Sequence, residues 1–97
     1  MATLHLINKS PTRSDALASC LRVLAPGDAL LLIEDGVYAA VADSTGSQAL
    51  VGHVCHALAA DVAARGLQAR LADGVRVIDE AGFVDLCVHC DRVMSWF

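Results

Sequence analysis

The chain has 97 residues, which sets one domain, 1–97. Hydrophobic residues make up 56% of it, above the roughly 45–50% of ordinary globular domains. A domain of this size buries only about 60–65% of its unfolded surface, so part of the excess is expected at an interface with other subunits. Seven Lys and Arg stand against eleven Asp and Glu, for a net charge of −4. The basic residues are scattered, which excludes a direct nucleic-acid binder, since phosphate contacts dominate such affinity.

In chain order, Thr3-Leu4-His5-Leu6-Ile7 alternates with β-formers and predicts a first strand. Asn8-Lys9-Ser10-Pro11 breaks it. Ser10 can cap a helix opening at Pro11, or Ser14 one opening at Asp15. Leu17, Leu21 and Leu24 then recur at helical spacing until Pro26-Gly27. Ala29 to Ile33 is a continuous apolar run, the pattern of a strand covered on both faces. Glu34-Asp35-Gly36 turns the chain, Val37 to Val41 predicts a short helix, and Asp43 to Ser47 reads as a polar loop. His53 to Leu58 is taken as a third strand. Asp61 to Arg65 gives a helical turn or two, ended by Gly66. Val75 to Ile78 is a fourth strand, Phe83, Leu86 and Cys87 have helical spacing up to about Cys90, and Arg92 to Phe97 suits a short edge strand. This alternation predicts a single α/β domain with a mostly parallel sheet of four to five strands flanked by helices.

No apolar stretch, Ala29 to Ile33 included, is long enough to span a bilayer. The opening residues lack a basic segment followed by an apolar one, so no signal peptide and no membrane association are expected. A reducing cytoplasm would keep Cys20, Cys55, Cys87 and Cys90 as thiols.

The sequence carries no G-x-G-x-x-G after a strand, no P-loop and no G-x-S-x-G elbow, so no nucleotide cofactor is expected. His53, Cys55 and His56 with Cys87, His89 and Cys90 are metal-ligand residue types. Their spacing matches no standard finger or ribbon, and no metal is expected. Cys87 and Cys90 form a C-x-x-C at the far end of a helix, where the helix dipole opposes a thiolate. Cys20 falls on the shoulder of the first helix's apolar stripe. It reads either as a core or interface cysteine or as a thiol able to hold sulfane sulfur as a persulfide, which needs a thiolate and solvent access. Glu34 and Asp35 read most simply as a turn leading into a helix. Trp96 and Phe97 suggest docking of the tail on the domain's own sheet or on a partner.

Several blocks resemble the DsrH/TusB family. Leu4-His5-Leu6-Ile7-Asn8-Lys9-Ser10-Pro11 is similar to its opening, and Glu34-Asp35-Gly36-Val37-Tyr38-Ala39-Ala40 to its central signature. Asp61 to Leu67 resembles the third block, Val77-Ile78-Asp79 with Ala81 to Leu86 the fourth, and Trp96 the terminal aromatic. Glu80 departs from the pattern, which commonly has an aromatic there. The resemblance implies a DsrE-like, flavodoxin-like fold and a cytoplasmic hetero-hexamer with DsrE-like and DsrF-like, or TusD-like and TusC-like, subunits. It implies that a partner subunit holds the principal sulfur-accepting cysteine. Ser19-Cys20-Leu21 is similar to DsrH members, so the expected function is a subunit of a DsrEFH-type sulfurtransferase complex in dissimilatory sulfur oxidation. Cys20 would then be a persulfide carrier upstream of a DsrC-like protein. The alternatives are a TusB-type subunit of the relay to the tRNA wobble uridine, ending on a TusE-like carrier, and a structural subunit without chemistry.

Overall fold

The computed structural model describes residues 2–97. Five strands form one sheet: β1 (Thr3–Ile7), β2 (Ala29–Leu32), β3 (Cys55–Leu58), β4 (Arg76–Ile78) and β5 (Arg92–Trp96). Their order is β4-β3-β2-β1-β5, and every pairing is parallel. The first strand is therefore central. The chain steps outward from it through β2, β3 and β4, then crosses back to place β5 on the other side.

That reversal decides which helix covers which face, because parallel crossovers share one hand. On one face Ile7, Leu30, Leu32, Cys55 and Ala57 pack against Leu17 and Cys20 of α1 (Ala16–Val23) and Val62 of α3 (Ala59–Ala64). On the other, Leu4, Leu6, Ala29 and Leu31 pack against Phe83, Leu86 and Cys87 of α4 (Glu80–His89). The unbroken leucine run of β2 fills both clusters: Leu30, Leu31 and Leu32 are fully buried. Each such side chain contributes about 1.5–3 kcal/mol by leaving water. A parallel sheet wants this pattern, since neither of its faces meets solvent.

Local chemistry sets the element ends. Ser14 Oγ accepts the Ala16 amide at 3.1 Å, while Ser10 closes only a turn, with the Arg13 amide on its carbonyl at 3.0 Å. The helix thus starts after both serines. The acidic turn differs more from expectation. Glu34–Ala40 is a single 3₁₀ segment, three residues ahead of the predicted start. The reason is Gly36, where a Cβ would lie 2.0 Å from the Ile7 carbonyl oxygen. Only glycine lets this segment lie directly on the end of β1.

The stretch 43–47, read as a loop, is also partly helical. Ser44 Oγ accepts the Ser47 amide at 3.1 Å and caps α2 (Thr45–Ala49). α3 stops at Gly66, whose φ of +65° suits a residue without a Cβ. Asp79 caps α4 by accepting the Gly82 amide at 2.9 Å.

Candidate functional site

The α1 stripe places Leu17 and Cys20 in the core and leaves Leu21 and Leu24 half-buried. Cys20 is thus at the centre of the buried face, not on its shoulder, and its exposure is 0%. Burial pushes its thiol up to about 11, and the negative charge of Asp28 acts in the same direction. Both effects disfavour the thiolate that sulfur transfer uses. In this arrangement Cys20 fills the space between α1 and the sheet.

The remaining cysteines and histidines do not converge. Cys55 faces the α1 side of the sheet, and burial drives its thiol to about 12. Its strand neighbour His56 must point to the opposite face, where its Nδ1 lies 3.3 Å from the Leu30 carbonyl. Cys87 and Cys90 pack under α4 on that opposite face. Burial, then Cys87, Asp28 and Asp91, raise the Cys90 thiol. His53 is exposed on the loop before β3, and His89 Nδ1 lies 2.7 Å from the Asp85 carbonyl. Among the described residues no three His, Cys, Asp or Glu side chains are placed to hold a metal ion.

A polar constellation absent from the sequence-based expectations lies on the α1 face. His5, in the middle of β1, is 3% exposed. Its Nε2 is 3.0 Å from Asp28 Oδ2. The indole Nε1 of Trp96 donates to His5 Nδ1 at 3.0 Å. An indole N–H can only donate, so Nδ1 is the acceptor and the imidazole proton sits on Nε2, facing the carboxylate. Asp28 also accepts the Thr3 amide at 2.9 Å and the Ala25 amide at 3.1 Å. Its carboxyl is held down at about 2, chiefly by the His5 hydrogen bond and next by that of Thr3. Three remote segments therefore meet at one buried ring, and Trp96 docks on its own sheet. Phe97 remains 69% exposed.

The Glu34–Ala40 segment and the Asp61–Leu67 block also meet. Arg65 contacts Asp35 Oδ1 through Nη2 at 2.9 Å and Nε at 3.0 Å, and Asp61 Oδ2 accepts the Glu34 amide at 2.8 Å. These contacts tie the 3₁₀ segment to α3, so Glu34 and Asp35 open a helix and anchor it, as the simpler reading held. Asp35 is over half exposed, and such ion pairs contribute at most about 1 kcal/mol. At the carboxyl ends of β1 and β2, where open α/β sheets collect ligands, Ser10, Thr12, Arg13, Asp35 and Tyr38 line a hollow of about 390 Å³. A larger groove of about 590 Å³, lined by Ser47, His53, Cys55 and Val75 among others, lies at the opposite end of the sheet.

Outward-facing apolar side chains gather on the later half of the chain. Val84 and Val88 of α4 are 60% and 74% exposed, and Val77, Val93 and Met94 about half. Among the described residues no helix is long and apolar enough to cross a membrane.

Together these features define a single parallel α/β domain of the DsrE-like type, with a buried polar network and no convergent catalytic cluster among the described residues. The fold is shared with the crystal structure of the ychN protein from E. coli, at a TM-score of 0.76 and 18% identity, over 98% of this chain and 99% of that one. A family model described as DsrH like protein matches residues 9–93. Protein TusB of Erwinia tasmaniensis is 38% identical over 95 residues, covering 96% of this chain and 99% of its own. Protein TusB of Escherichia coli O1:K1 is 39% identical and that of Sodalis glossinidius 38%, with the same coverage. The chain belongs to the DsrH/TusB family.

Proposed function

We propose that this chain is a TusB-type subunit of a cytoplasmic sulfur relay that serves 2-thiolation of the tRNA wobble uridine. Its part there is to build the complex rather than to carry sulfur. The observation that carries this reading is the similarity to chains named TusB over 96% of the length. The sequence-based preference for the DsrEFH branch rested on Ser19-Cys20-Leu21. The named relatives favour the other branch. The buried, protonated Cys20 suits a subunit without sulfur chemistry of its own.

On this reading the partners are TusC-like and TusD-like subunits in a hetero-hexamer, with a TusE-like carrier downstream and the principal active cysteine on a partner. The exposed valines of α4, with Val93, Met94 and Phe97, supply apolar surface for such contacts. Co-expression with TusC-like and TusD-like subunits, followed by size-exclusion chromatography, tests it. A single complex containing all three chains is expected. A chain that elutes alone beside a complete partner complex would refute it.

A second reading keeps the sulfur-oxidation branch, with Cys20 receiving sulfane sulfur. The family model described as DsrH like protein favours it. It requires α1 to lift enough to bring Cys20 to solvent as a thiolate. Intact-mass spectrometry after exposure to a persulfide donor separates the two. One added sulfur on the wild type and none on Cys20→Ser supports carriage.

A further inference from the structure

From the central strand β1, the His5 side chain bonds at once to the segment that opens β2 and to the end of β5. Its Nε2–H faces a carboxylate already fixed by two backbone amides, and its Nδ1 holds the indole of Trp96. The two sides respond differently to a proton. Asp28 stays ionised well below neutrality, so an imidazolium keeps its Nε2–H bond and gains an opposite charge there. At Nδ1 the new proton replaces the lone pair that Trp96 uses. Two N–H groups would then face each other at a 3.0 Å separation, where neither can accept.

Among the described residues His5 Nδ1 is the acceptor that the indole uses. Asp28 arrives from the segment before β2. α1 contributes the protonated thiol of Cys20. On β5, Arg92 is exposed and in register with Thr3, two positions from the residue opposite His5. Ile7 and Leu30, which flank the ring on its own and the neighbouring strand, are apolar and fully buried.

We propose that His5 is a proton-operated latch for the carboxyl-terminal strand: neutral, it holds Trp96 against the sheet, and protonated, it releases the end of β5 that carries Trp96 and Phe97. An imidazole is the side-chain type whose charge ordinarily changes between about pH 5 and 8, and that interval sets the range of the test. Trp96 is the single tryptophan of the chain, which makes the release directly visible.

The test is a proton–nitrogen NMR titration of the full chain across that range, following the Trp96 indole resonance and the His5 ring protons together. Far-UV circular dichroism monitors the fold. The latch predicts that the indole resonance moves upfield with the same midpoint as the His5 ring while the dichroism stays constant. It also predicts an indole resonance independent of pH in His5→Gln, which has no titrating ring. An indole that stays fixed while His5 titrates would overturn the proposal, as would a His5 ring that resists protonation until the fold is lost. If His5→Gln fails to fold, coincidence or separation of the two wild-type midpoints decides alone.

Discussion

Removing the Asp28 carboxylate is the most informative single change on the α1 face. Asp28→Ala leaves three donors without their acceptor: the amides of Thr3 and Ala25 and the Nε2–H of His5. Hydrogen bonds to a charged partner contribute about 1.5–3 kcal/mol each when buried, and less where water can replace the partner. Thr3 is half-buried and Ala25 exposed, so those two recover part of their loss from solvent; His5, at 3% exposure, cannot. A net loss of about 3 kcal/mol follows. For a domain of this size that lowers Tm by about 12–24 °C. The loss has a pH signature. The Asp28 carboxyl sits at about 2 in the fold against an ordinary 3.8. A lowered carboxyl contributes stability that is fully present above the ordinary value and fades as pH falls through the folded one. The gap between wild type and variant should therefore narrow from about pH 4 towards pH 2. Urea melts across that range measure both. A variant within about 3 °C of wild type at neutral pH, or a gap independent of pH, would refute the assignment of this carboxylate as the fold's polar anchor.

Other expectations follow from the same packing. Gly36→Ala forces a Cβ onto the Ile7 carbonyl and should cost about 3 kcal/mol or more, read by thermal melts. Arg65→Ala removes partly exposed ion pairs with Asp35 and Asp61 and should cost under about 1 kcal/mol, with the wild-type advantage shrinking as salt is raised. Val84→Ser with Val88→Ser changes residues that are mostly in water. The isolated chain should keep its Tm within about 2 °C, and the same variant should lose affinity for the partner subunits in co-elution.

Much of the fold was legible because the strands obey simple periodicities. The apolar run from Ala29 to Ile33 announces a strand buried on both faces, and the alternation from Thr3 to Ile7 announces the first strand. The parts that escaped have physical reasons. α2 is a five-residue helix of polar and small residues, and its Ser44 cap uses the same residue types as a turn. The 3₁₀ segment begins early because Gly36 packs on backbone, which no hydrophobic pattern reports. Cys20 looks off-centre in a stripe drawn through Leu17, Leu21 and Leu24 because Leu21 and Leu24 are only half-buried, whereas Leu17 and Cys20 face the core. In the sequence His5 stands only as one residue of the alternating first strand. A histidine centred in an apolar strand, with an aspartate opening the next strand, is the signal that could have drawn attention to it. The tail's two aromatics proved to have different roles, since Trp96 closes the chain's own network and Phe97 stays exposed.

A TusB-type subunit of the proposed kind would support a sulfur relay without carrying sulfur itself. The direct measurement is the rate of sulfur transfer to a TusE-like carrier by the complex reconstituted with the partner subunits, containing either the wild-type chain or Cys20→Ala, with intact masses taken during turnover. Equal rates and no added sulfur on this chain are expected. A rate that falls tenfold or more in an assembled Cys20→Ala complex, with one sulfur found on the wild-type chain alone, would contradict it.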